Sequence, residues 1–142
     1  MPTIDTFFQA AKQALLLDPA LDYQRIITLP DTSALLSGRQ TALSSGFAAY
    51  MQAHKPLPQA HDVNIVVTPA QVPLAVTYTE DVSIRPLAAL DAADAQREGN
   101  DDFDAWYQAK LTSLQAASAQ PFDPASAMLV VEQLRVLYPS AH

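Results

Sequence analysis

The sequence predicts an α+β domain. Two patterns support that reading: apolar residues recur at helical spacing near both ends of the chain, and they alternate with polar ones through its middle. Length sets the scale, because 142 residues is the usual size of one domain with one sizeable core. Hydrophobic residues make up 49% of the chain and charged ones 16%, a balance that folds rather than staying disordered.

The first helix is expected over residues 3–17, where Ile4, Phe7, Phe8, Ala11 and Leu15 share a face. Asp18-Pro19 stops it, because the residue before a proline avoids the α region. Residues 28–31 read as a loop, with Asp31 or Thr32 placed to cap a short turn through Leu36. Gly38 then breaks the chain. Ser44 or Ser45 is expected to cap a second helix bearing Phe47, Tyr50, Met51 and His54 on one face, and Pro56 and Pro58 end it.

Strand patterns follow. Val63, Ile65 and Val67 alternate with Asn64, Val66 and Thr68 as far as Pro69. After a short turn, Leu74, Val76 and Tyr78 alternate with Ala75, Thr77 and Thr79, which predicts a hairpin. Val82 and Ile84 continue the extended chain to Pro86. Residues 87–97 form an alanine-rich helical block closed by Gly99-Asn100. Phe103, Trp106, Tyr107, Lys110, Leu111 and Leu114 then define a helix whose face packs on the core, and Asp101, Asp102 and Asp104 suit its positive end.

Periodicity leaves residues 128–138 open. Asp123-Pro124 looks like the capped start of a helix. Val130, Glu132, Leu134, Val136 and Tyr138 would equally line one face of a strand. In that case Glu132 interrupts an apolar row, where a carboxylate needs a partner or a function.

Composition excludes several function classes. The chain has no cysteine, which rules out disulfides, thiolate catalysis and cysteine metal sites. No apolar run approaches the roughly 20 residues that cross a bilayer. Residues 1–6 lack the basic start of a signal peptide, so a cytoplasmic location is the default expectation. His54 and His61 lack metal-ligand spacing, and the Asp101-Asp102-x-Asp104 cluster lacks the glycine and distal glutamate of a calcium loop. No metal or cofactor is expected. The net charge is −7 and the eight basic residues form no stripe, so duplex DNA is not an expected partner and any nucleic-acid contact has to be local. The acidic run over residues 91–104 reads as a solvated helix face or as an interaction surface.

Four stretches, in order, resemble the ASCH domain family. Gly38-Arg39-Gln40-Thr41-Ala42-Leu43-Ser44 is similar to the family's Gly-x-Lys-Thr-x-Thr segment. Lys55-Pro56-Leu57-Pro58 with Asp62-Val63-Asn64-Ile65-Val66 is similar to its next passage, with His61 where glycine is usual. Val82-Ser83-Ile84-Arg85-Pro86-Leu87, Glu98-Gly99 and Trp106 match a third passage. Val130-Val131-Glu132-Gln133-Leu134-Arg135-Val136 looks like the closing strand. The resemblance implies a PUA-like open β-barrel flanked by helices, with a cleft beside the Gly38 segment, and it makes residues 128–138 a strand. It implies one domain over residues 1–142, with a helical extension at 1–30 and a core at 31–138. It also implies an association with RNA. Some members remove the acetyl group from N4-acetylcytidine, and others are reported as ribonucleases.

In the amidohydrolase members the pattern supplies a lysine, a threonine and a glutamate, so that an attacking oxygen, a proton acceptor and a carboxylate act on one amide. Here the lysine position holds Gln40 and the threonine position holds Leu43. The glutamate position holds Tyr78, or Thr77 if the hairpin shifts by one residue. Gln40 is neither a cation nor a base, and Leu43 carries no nucleophile. The polar residues that remain as candidate ligand contacts are Arg39, Gln40, Thr41, Ser44, Tyr50, Lys55, Asp62, Lys110, Glu132 and Arg135. Several have structural readings: Thr41, Ser44 and Ser45 as helix caps, Lys55 as a helix-end cation, Glu132 with Arg135 as a pair, and Trp106 as core. The first functional expectation is a module that binds RNA or a modified nucleoside beside residues 38–45. The alternatives are a divergent hydrolase acting on RNA or N4-acetylcytidine through Tyr50, Lys55 and Glu132, and an acidic domain that takes a basic protein partner.

Overall fold

The structure, a computed structural model, describes residues 3–117 and 122–139. Five strands form one sheet: β1 (Arg25–Thr28), β2 (Ala42–Gly46), β3 (Val63–Val67), β4 (Pro73–Pro86) and β5 (Met128–Tyr138), in the spatial order β1-β3-β4-β5-β2. All neighbours are antiparallel except β1, which runs parallel to β3. The helices are α1 (Ile4–Leu15), α2 (Ser33–Leu36), α3 (Phe47–Gln52), α4 (Ala92–Arg97) and α5 (Phe103–Ala117). Among the described residues no helix is long and apolar enough to cross a membrane.

The hairpin of β3 and β4 is the one its alternation predicts. Irregularities in the β4–β5 ladder, at Val76/Thr77 and Thr79/Asp81, add local twist and curl the sheet into a half-barrel. Side chains alternate across it, so the sheet has two faces with different cover. On the outer face, Val63, Ile65, Val67 and Val76 pack against Phe8 and Ala11 of α1. Further along, Leu129 and Val131 pack with Leu87, Leu90, Ala95 and Trp106 beneath α4 and α5. The inner face gathers Val66, Ala75 and Leu134 around Leu35 of α2, with Ile27, Leu43 and Val136 at the margin.

Helix α1 begins where Thr3 accepts a hydrogen bond from the Thr6 N–H and ends at Leu16, which takes a left-handed conformation. Lys12, only 4% exposed, donates through Nζ to the carbonyls of Pro19 (2.7 Å) and Leu21 (3.0 Å). It thereby fastens the loop that leads into β1. Residues 3–30 thus contribute one helix and, through β1, one edge of the sheet.

Three sequence expectations need correction. Residues 42–46 are a strand, so Ser44 and Ser45 cap no helix; their backbone groups pair with β5, and Gly46 holds the position before α3 with no side-chain cap. Residues 87–97 divide into a 3-10 turn at Leu87–Ala89 and the short α4, because Asp91 starts a new helix with a reciprocal cap to Asp94. The row on β5 keeps Val130, Glu132, Leu134 and Val136 on the inner face, but Tyr138 turns to the α1 side. The irregularity opposite Val76/Thr77 accounts for that, since one extra residue inverts the alternation. The helix after Gly99 and the strand over residues 128–138 are as expected.

Candidate functional site

The inner face carries a polar row where a core strand would ordinarily hold aliphatic residues. Arg25 lies opposite Asn64, and Asn64 lies opposite Thr77, on three adjacent strands. Asn64, Thr77 and Thr79 are fully buried, and Glu132 is 3% exposed. The Asn64 amide donates to Thr79 Oγ1 (3.2 Å), and the Thr79 hydroxyl donates to Glu132 Oε2. Nη2 of Arg25 reaches both carboxylate oxygens, at 2.6 and 2.7 Å. Removing one partner from such a pair strands a buried charge at a cost of about 3–5 kcal/mol.

Above this row opens a pocket of about 140 Å³ lined by Leu43, Ser45, Tyr50, Pro58 and Val130, with Arg25 and Glu132 also in its wall. The Ser45 and Tyr50 hydroxyls are hydrogen-bonded at 3.0 Å. The wall therefore combines an apolar slot, two hydroxyls and a fixed ion pair. This arrangement can grip a small planar molecule by its faces and read its polar edge.

The other side of β2 is different. Ser44 Oγ donates to Glu98 (2.5 Å), whose carboxylate pairs with Lys110 (3.0 Å). Lys110 also donates to the Ser44 carbonyl at 2.9 Å. These groups satisfy one another and tie α4 and α5 to the strand. A larger groove, about 550 Å³ and mostly apolar, runs from them between α3 and α5 past Phe47, Leu114 and Leu129.

The structure distributes the remaining candidates around the molecule. Gln40 donates to the Ala42 carbonyl and its backbone bridges Glu98, away from the pocket. Arg39 is exposed and reaches the Gly99 carbonyl at 3.4 Å. The Thr41 N–H bonds to Arg97, and its carbonyl accepts from Leu134. Lys55 is exposed after α3. Asp62 accepts from the Gln59 N–H. Arg135 lies over the ring of Tyr78 and not beside Glu132, because residues three apart on a strand face opposite ways. Tyr78 bonds His61 and packs with the α1 cluster on the outer face, whereas Thr77 is on the inner face. Of the positions aligned with the amidohydrolase residues, Leu43 alone lines the pocket. His61 sits at φ 78°, a left-handed conformation that accounts for glycine being usual there. Among the described residues no three His, Asp or Glu side chains cluster to hold a metal ion.

Sequence reasoning named Tyr50 and Glu132 but missed Arg25, Asn64 and Thr79. Alternation does place Asn64 and Thr79 within strands, and a buried polar residue there was a usable signal. Nothing local connects Arg25 to Glu132.

Comparison with known proteins agrees with this architecture. A family model described as the ASCH domain matches residues 31–138. The crystal structure of a protein from Enterococcus faecalis is similar with a TM-score of 0.77 and 26% identity, covering 94% of this chain and 86% of that one. An ASCH domain from Lactobacillus crispatus gives 0.76 and 17% identity, over 92% of this chain and 93% of that one. An ASCH protein of Zymomonas mobilis, in a mutant form, gives 0.51 and 16% identity over 80% and 69%. No curated protein sequence matches the chain. The α+β class and the PUA-like open barrel follow from these likenesses together with the sheet itself.

Proposed function

This chain belongs to the ASCH domain family, and from that premise we propose that it binds a nucleoside, free or at the end of an RNA, in the inner-face pocket beside β2. One observation carries the reading. A carboxylate only 3% exposed, that of Glu132, stands in the wall of an open pocket on an otherwise apolar strand row. Structure alone gives little reason for it, since a buried ion pair is often no more stable than apolar residues of the same volume.

The surroundings suit a base. Leu43, Pro58 and Val130 offer apolar surface to its faces, and Ser45 and Tyr50 supply hydroxyls at the rim. The pocket, about 140 Å³ and open to solvent, admits a ring with its sugar and phosphate outside. With a net charge of −7 and Arg25 already paired, attraction for phosphate contributes little. Exposed Arg39 and Lys55, on the segments flanking residues 43–50, are the cations available to a backbone outside the pocket.

The test is an amide-resolved NMR titration at low salt with the common ribonucleosides and short single-stranded RNAs. Saturable shifts are expected at residues 43–50 and 130–132, with little change on α1. No response to any of these ligands would refute the reading.

A further inference from the structure

We infer that Arg25 is itself a ligand-binding residue, and that Arg25 and Glu132 together form a recognition edge for a single-ring heterocycle with a hydrogen-bond donor and an acceptor on adjacent ring atoms. The inference rests on the proposed nucleoside pocket and deepens it.

The geometry of the pair leaves capacity on both partners. Every hydrogen bond that the structure gives to the Arg25 side chain comes from Nη2. A guanidinium has five N–H donors in a rigid plane, so the Nη1 donors remain for another molecule. Arg25 is 27% exposed at its side chain and lines the pocket. On Glu132, Oε2 accepts from both Arg25 and Thr79, while Oε1 accepts from Arg25 alone. A carboxylate has roughly four acceptor sites, so Oε1 retains one. The spare donors on Nη1 and the spare acceptor site on Oε1 therefore belong to one fixed ion pair, joined through Nη2 at 2.6 Å from Oε1. That frame matches the adjacent C=O and N–H of a uracil-type ring, or the ring nitrogen and amino group of a cytosine-type ring.

A second observation marks the same place. Four buried side-chain polar atoms among the described residues have no hydrogen-bond partner, and three of them are Arg25 Nε, Asn64 Oδ1 and Thr77 Oγ1. These belong to the cross-strand row beside Glu132. Proteins rarely leave such atoms unpaired, so the row beside the ion pair is not a fully satisfied structural network. With the sugar outside, a pocket of about 140 Å³ favours one ring over the larger two-ring purine. Arg25 lies outside residues 31–138, the stretch that the family model matches.

Calorimetric titration of the full chain with uridine, cytidine and N3-methyluridine tests the inference. The methyl group blocks the ring edge and leaves the rest of the nucleoside intact. Wild type is expected to bind uridine or cytidine and to bind N3-methyluridine about tenfold or more weakly. Arg25→Lys keeps the charge and loses the planar fork, so the discrimination should fall to within about threefold. Should Arg25→Lys fail to fold, the double variant Arg25→Gln with Glu132→Gln removes both charges together and should show the same loss of discrimination. Unchanged discrimination in a folded variant overturns the inference and leaves the pocket reading standing. A wild type that binds no nucleoside overturns both.

Discussion

Asp94 shows how the acidic run over residues 91–104 differs from a merely solvated face. Its carboxylate is 8% exposed, accepts from the Asp91 N–H at 2.9 Å, and pairs with Arg85 (2.8 Å) and Arg97 (3.1 Å). Burial by itself raises its pKa, but the Asp91 N–H and the Arg85 guanidinium outweigh it and hold the group below its ordinary value of 3.8. A depressed carboxylate pKa stabilises the fold above that ordinary value, and the contribution is lost as pH falls below it. Asp94→Asn should therefore cost about 1–2 kcal/mol at neutral pH, a deficit that shrinks below about pH 4. Urea unfolding of both proteins between pH 3 and 7 measures the difference. Exposed Asp31, whose carboxyl is also lowered, first by the Ser33 N–H and then by its hydroxyl, titrates in both chains and cancels. A deficit that stays constant with pH would contradict the account. The run as a whole was readable as charge, but its one buried member was not, because Arg85 reaches it from β4, while only Arg97 lies on its own helix.

Among the elements, the join between α4 and α5 depends on Gly99. Its φ is 82°, and a Cβ there would come within 2.7 Å of the Ala34 Cβ. Gly38 has nearly the same φ, 83°, but nothing within 4 Å of where its Cβ would be. The pair separates two costs that a glycine can avoid. Gly38→Ala should lose about 1 kcal/mol for the left-handed backbone alone, while Gly99→Ala should lose about 2 kcal/mol or more. In an Ala34→Gly background, which removes the clash and carries its own helix penalty, Gly99→Ala should cost only the backbone part. Equal losses at the two glycines would contradict this division. Both glycines stood out in the sequence as punctuation, as did α1, α5 and the β3–β4 hairpin, all of which have a clear local period. β2 was mistaken for the approach to a helix because Ala-Leu-Ser-Ser-Gly has little strand character, and its pairing with β5 over residues 129–133 supplies what propensity does not. β1 is four residues long and parallel to β3, a contact with no local signature.

For the molecule as a whole, the site was half legible. Glu132 was conspicuous because a carboxylate interrupted an apolar strand row, and Tyr50 because of its ring. Arg25 was not, since 107 residues separate it from its partner and only the curl of the sheet brings them together. The same arrangement has an electrostatic consequence. The −7 net charge surrounds a pocket whose guanidinium is already neutralised, so affinity has to come from the base and hardly at all from phosphates. Each phosphate neutralised on a single strand adds about −0.7 to the slope of log K against log salt. Binding of a short single-stranded RNA should therefore show a slope no steeper than about −1.5, equivalent to one or two contacts, and the free nucleoside a slope near zero. A duplex of the same sequence should not compete, because its bases are stacked and cannot enter the pocket. A slope of about −3 or steeper would mean that the protein tracks the backbone through cations elsewhere on its surface, and the inner-face pocket would then not be the seat of recognition.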